Sequence, residues 1–133
     1  MEAIKSIVKR NSLKSVEVCG FQAPDSFYEE AAIVCSTSVS EGWGMTLIEG
    51  ASYGCVPVAF DNGGSVRDVI THGKNGFIVP AYKQDEYVRT LESLMHNSDL
   101  RNKIALSAQE DVRRFAPEII AQQWLAAFYK FFV

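Results

Sequence analysis

Residues 31–60 read Ala31-Ala32-Ile33-Val34-Cys35-Ser36-Thr37-Ser38-Val39-Ser40-Glu41-Gly42-Trp43-Gly44-Met45-Thr46-Leu47-Ile48-Glu49-Gly50-Ala51-Ser52-Tyr53-Gly54-Cys55-Val56-Pro57-Val58-Ala59-Phe60. The opening run, Ala31 to Cys35, has no polar side chain and reads as a buried strand, apolar on both faces as parallel strands tend to be. A Ser/Thr-rich loop then leads through two glycines into a helix expected over Met45–Tyr53. Gly54 stands where a left-handed residue commonly ends a helix. Pro57 to Phe60 is the next strand, with proline at its tolerated first position. Short apolar runs alternating with helical patterns point to a parallel α/β architecture.

The pattern extends in both directions. Upstream, Met1 to Arg10 carries Ile4, Ile7 and Val8 at helical spacing, Val16 to Cys19 reads as a strand stopped by Gly20, and Pro24-Asp25-Ser26 opens a short helix to Glu30. Downstream, Val66–Ile70 is expected as a short helix and Phe77–Val79 as a fourth strand, after the Lys74-Asn75-Gly76 turn. Helices are expected over Gln84–His96, Ser98–Phe115 and Pro117–Phe131, with Ser98 as an N-cap and Pro117 in a first turn. The expected fold class is α/β: a Rossmann-like parallel sheet with flanking helices, spanning residues 1–133 as one domain.

Composition excludes several functions. Apolar residues make up 47% and charged residues 22%, and the net charge is −3. That balance, with no basic run, argues against a nucleic-acid partner. No stretch has the roughly 18 consecutive apolar residues of a membrane span, and the first residues lack the order of a secretory signal. A cytoplasmic setting is expected. Cys19, Cys35 and Cys55 are too widely spaced for a disulfide framework or a zinc knuckle and are read as buried, reduced thiols. His72 and His96 have no ligands at metal-binding spacing.

The chemistry concentrates in the loop before the second expected strand-to-strand helix. In open parallel sheets, ligands bind beyond the carboxyl ends of the strands. Gly42 and Gly44 let the backbone approach a ligand, and the amides of Gly44, Met45 and Thr46 point from a helix start toward an anion. A diphosphate suits that place, with the Thr46 hydroxyl as a further donor. At 100° per residue, Leu47, Ile48, Ala51 and Cys55 share the face that packs on the sheet, whereas Glu49 points away from it. A carboxylate accepts two neighbouring hydroxyls at once, so Glu49 suits a ribose diol while Glu41 contacts a sugar on the other side of the phosphates. Taken singly, Glu49 also fits an ordinary solvated helix residue, and Trp43 fits a cap over the core.

Several features of this segment together resemble the retaining glycosyltransferases of family 4, the group 1 transferases. These carry two glutamates separated by seven residues, here Glu41 and Glu49 within Ser38-Val39-Ser40-Glu41-Gly42-Trp43-Gly44 and Glu49-Gly50. Gly54-Cys55-Val56-Pro57-Val58, Gly63-Gly64 and Asn75-Gly76-Phe77-Ile78-Val79 resemble later family motifs, and Val16 to Phe21 an earlier one. The likeness covers about Val16 to Arg89. It implies the C-terminal, donor-binding part of a GT-B enzyme, two Rossmann-like domains facing across a cleft. Glu41 is then catalytic, contacting the donor sugar near its reacting carbon. Gly42, Gly44, Met45 and Thr46 bind the diphosphate, and Glu49 binds the ribose.

The resemblance further implies a nucleotide-sugar donor, no metal or other cofactor, and a glycan or lipid-linked acceptor held by a separate N-terminal domain. It also suggests a role in surface polysaccharide synthesis, at the inner face of the membrane. Trp43 stands for the commoner phenylalanine, Gly50 for alanine, and Arg67 for a frequent glutamate, with Asp68 the nearest carboxylate. The opening strand and helix of such a domain, with their Arg and Lys for the diphosphate, have no counterpart upstream of Met1. A fragment that is inactive alone and self-associates is the expectation. The apolar C-terminal helix (Ile119, Ile120, Trp124, Leu125, Phe128, Phe131, Phe132) is expected to lie partly against another domain, or to pack its Trp124 side on the core. A non-catalytic interaction module and a sugar-nucleotide epimerase are the alternatives.

Overall fold

The computed structural model describes residues 2–38 and 40–132; Met1 and Val39, which fall in the expected first helix and glutamate loop, lie outside the described residues. Among these residues the chain forms α1 (Glu2–Arg10), α2 (Asp25–Glu30), β1 (Ile33–Ser36), α3 (Met45–Ser52), β2 (Val56–Asp61), α4 (Val66–Val69) and β3 (Phe77–Pro80). These are followed by α5 (Gln84–His96), α6 (Ser98–Asp111), a 3₁₀ turn (Val112–Phe115) and α7 (Pro117–Phe132). The strands form one parallel sheet in the order β1-β2-β3, with Ile33 opposite Val56 and Val58 opposite Phe77.

The central strand shows why the sheet holds. β2 is buried along Val56–Phe60, and its alternate residues feed two separate apolar clusters. Ala59 joins Leu47, Ile48, Ala51 and Cys55 of the α3 side, together with Val34, Val66, Val69, Ile70, Ala108 and Val112. Val56, Val58 and Phe60 join Val79 with Tyr87, Leu94 and Ile104 from α5 and α6 on the opposite face. The helix face assigned to the sheet from periodicity is therefore the one that is buried. Tyr87 also ties the strands together, donating its hydroxyl to the Val58 carbonyl at 2.8 Å.

Four expectations are corrected. Val16–Cys19 is not a strand: with the sheet running β1-β2-β3 it has no neighbour to bond, and Val16 and Cys19 are exposed. β1 is buried only at Val34, because it lies at the sheet edge; Cys35 on its other face is exposed, leaving Cys55 as the buried thiol. The N-cap of α6 is Asn97, whose side chain accepts from the Leu100 amide at 2.9 Å, and not Ser98, which is the first residue of the helix itself. Finally, α7 buries none of its residues, so its Trp124 side does not pack into the core; Trp124 is 60% exposed.

Gly54, at φ 89°, does close the turn after α3 in the left-handed region.

Candidate functional site

Parallel strands bring all their carboxyl ends to one rim of the sheet. There β1 runs into the glutamate loop and β2 runs into Asn62–Ser65, and the two loops meet. A side chain on Gly64 would come within 4.0 Å of the Glu41 carbonyl oxygen. Trp43 is held at this rim by an edge-to-face contact with Phe115, ring centres 5.8 Å apart, while 43% of its surface stays open. It braces the loop against the 3₁₀ turn after α6, where Phe115 packs on the core.

Gly44 turns the chain into α3 with φ 70° and ψ 41°, a left-handed conformation that favours glycine whatever surrounds it. Gly42 is different: a β-carbon there would meet no atom within 4 Å, so nothing in the protein itself demands glycine at 42. The amides of Leu47 and Ile48 are the first to bond back, both to the Gly44 carbonyl, at 2.9 and 3.4 Å. Those of Met45 and Thr46 come earlier, where a helix has no carbonyl one turn back to offer. Gly44 itself is buried, whereas Met45 and Thr46 are exposed, so the first turn of the helix faces solvent at the rim with the positive end of its dipole.

The two acids differ in setting. Glu41 is exposed on the loop, whereas Glu49 is half-buried one turn into α3. Glu49 accepts a hydrogen bond from the Tyr28 hydroxyl of α2 at 3.2 Å. It also borders an open cleft of about 460 Å³, shared with Ile48, Ser52, Gln109, Arg113 and Phe115. Burial, and then the adjacent Glu49 carboxylate, raise the Tyr28 pKa, so the phenol stays a donor. The predicted site residues Glu41, Gly42, Gly44, Met45, Thr46 and Glu49 thus form one continuous stretch around the tip and first turns of α3. Among the described residues, no three His, Cys, Asp or Glu side chains gather as a metal site requires.

Sequence spacing gave no sign of the polar framework around these residues. Arg67 grips Asp61 through two bonds of 2.6 and 3.1 Å, fixing the loop after β2. The Arg67 bond and the Gly63 amide hold the Asp61 carboxyl below its usual range. Asn75, almost fully buried, receives the Thr71 amide at 2.6 Å and donates to the Val69 carbonyl and to Asp111. Arg114 reaches the Asp68 carbonyl and Asp111. Asp68 enters this framework through its backbone carbonyl.

A parallel sheet whose central strand is covered by helices on both faces is a Rossmann-like α/β arrangement, and it matches that of GT-B glycosyltransferase structures. The chain belongs to the glycosyl transferases group 1 family, whose model matches residues 2–111. It is 28% identical over 104 residues to a poly(glycerol-phosphate) alpha-glucosyltransferase of Bacillus subtilis, covering 78% of this chain and 16% of that protein. Over 126 residues it is 28% identical to a poly(ribitol-phosphate) alpha-N-acetylglucosaminyltransferase of Staphylococcus aureus, covering 93% of this chain and 26% of that one. A mutant of the S. aureus protein TarM, crystallised with fondaparinux, alpha-GlcNAc-glycerol and UDP, superposes with a TM-score of 0.87 at 26% identity. That match covers 96% of this chain and 26% of the TarM chain. The chain therefore spans only 16% and 26% of the length of these two relatives.

Proposed function

We propose that this chain is the donor half of a retaining glycosyltransferase that moves a sugar from a nucleoside diphosphate to a cell-surface polymer. One observation carries the reading: the tip of α3 stands open at the strand-end rim, with Glu41 just before it and Glu49 one turn beyond it. The free amides of Met45 and Thr46 take the diphosphate, which suits both their direction and the helix dipole. Glu49, four residues and about 6 Å further along the helix axis, takes the ribose diol. Glu41 lies by the donor sugar, where a carboxylate stabilises positive charge growing on the anomeric carbon.

When the bond from that carbon to the phosphate breaks, its electron pair leaves with the nucleotide, and the amides stabilise the added negative charge. The acceptor hydroxyl attaches to the same carbon on the face the nucleotide leaves. Its proton passes to the departing phosphate oxygen. No metal is required in this scheme, so turnover should survive a chelator. Two relatives are named as alpha-transferases, the product expected when an α-linked donor reacts with retention. Both act on phosphate-linked polymers by name, which supports an acceptor of the surface-polymer class. The UDP in the TarM complex makes uridine the first base to test. A partner domain holds the acceptor, and this chain alone does not turn over.

The test separates binding from chemistry. Glu49→Ala should weaken UDP binding at least tenfold by titration, as loss of a charged hydrogen-bonding partner does. Glu41→Ala should leave binding within a few-fold and depress kcat in the full-length enzyme. Wild-type behaviour of both variants would end the assignment.

A further inference from the structure

The contact between α2 and α3 adds a residue to this site. Two tyrosine–carboxylate hydrogen bonds cross from one helix to the other, in opposite directions. Tyr28 of α2 reaches Glu49 of α3 at 3.2 Å, and Tyr53, directly after α3, reaches Asp25 at the start of α2 at 2.7 Å. The two rings lie against each other, 5.7 Å between centres. Below them Cys55 donates its thiol to the Tyr28 and Ala31 carbonyls, at 3.4 and 3.3 Å. The backbone of Tyr28 is thereby fixed to the buried layer, and its ring is buried while its hydroxyl emerges at Glu49.

We infer that Tyr28 is a positioning residue for donor binding, holding one carboxylate oxygen of Glu49 so that the other oxygen stays turned toward the ribose. The inference rests on the ribose role proposed for Glu49. A glutamate on a helix has three free side-chain torsions, and freezing them on binding costs affinity. A hydroxyl anchored from a second helix makes that selection before the donor arrives. One carboxylate oxygen is engaged by Tyr28, yet each oxygen accepts more than one bond, so the diol still finds acceptors. Burial and then the Glu49 carboxylate push the Tyr28 pKa above its ordinary value, so the hydroxyl keeps the proton that it donates.

The test is a double-mutant cycle in the full-length protein, read by UDP titration and by KM and kcat for the nucleotide sugar. Tyr28→Phe keeps the ring stacked on Tyr53 and removes only the hydroxyl. It should raise the UDP Kd and the donor KM about fivefold, with kcat within twofold, a loss on the scale of one hydrogen bond. In the Glu49→Ala background the same change should have no effect. Tyr53→Phe, which removes the parallel bond to Asp25 and leaves Glu49 alone, serves as the control and should leave KM unchanged.

If Tyr28→Phe leaves KM unchanged, or its effect adds in full to that of Glu49→Ala, Tyr28 does not position the acid. If Tyr53→Phe raises KM as much as Tyr28→Phe, the bonds merely hold two helices together and the inference again falls. If Glu49→Ala itself binds UDP like wild type, the ribose assignment fails and takes the positioning role with it. That last result is distinct from the other two, which leave Glu49 in place.

Discussion

Gly50 stands where the family commonly has alanine, and at the level of sequence it is simply a poor helix residue. The structure gives it a purpose. A β-carbon at 50 would sit 2.8 Å from Cγ1 and 2.9 Å from Cβ of Val34, a stiff β-branched side chain on β1. Glycine lets α3 lie directly on the sheet. Gly50→Ala should therefore destabilise the protein by about 1–3 kcal/mol despite its gain in helix propensity, as overpacking does. A melting curve decides it, and a rise in melting temperature would mean that the valine yields. Gly76 is stricter still, because a side chain there meets Pro57 backbone and ring at 2.7 Å. The Asp61–Arg67 pair supplies a test in pH. Since the folded carboxyl has the lowered pKa, the pair's stability is present above the unfolded value of about 3.9 and is lost as pH falls through the folded one. The gap in melting temperature between wild type and Arg67→Ala should accordingly exist at neutral pH and close in acid.

Among the elements, helices were easier to read than strands. Each expected helix is present to within a few residues, because a 3.6-residue apolar repeat is a local property. The three apolar runs that form the sheet, near Ile33–Ser36, Val56–Asp61 and Phe77–Pro80, were legible from their apolar composition. Val16–Cys19 has the same signature and forms no strand. Ladder bonds need a partner, and which segment lies alongside is not written in the segment itself. Ser98 failed as a cap for a related reason: Ser and Asn are both good caps, and the choice depended on which residue left the helix first. Asn97→Ala should cost about 1 kcal/mol of stability and Ser98→Ala close to nothing, a difference that parallel denaturant titrations resolve. The loop after β1 and the start of α3 were legible as structure because two glycines and a helical apolar repeat mark them within one short stretch of chain. Tyr28, 21 residues before its partner Glu49, was not, since only the packing of α2 on α3 brings the two together.

For the molecule as a whole, the balance of covered and uncovered surface matters most. The core is complete on both faces of β2, yet α7 carries an apolar side that nothing in the described chain covers, with Phe131 76% and Phe132 82% exposed. Such a surface, with Trp124 and Phe128 in contact beside it at 5.6 Å, drives association. The chain at high concentration should show an increasing mass by light scattering, and Phe128→Ser with Phe131→Ser should reduce it. A monodisperse monomer at all concentrations would refute this. The outer side of β1 has a quieter consequence. Half of its peptide groups point away from β2 into open space, so their amide hydrogens should swap with deuterated solvent in moments, while those locked within β2 take far longer. Any neighbour that seals this border, from the same polypeptide or another, would announce itself as a slowing confined to residues 33–36, without a single side chain having changed.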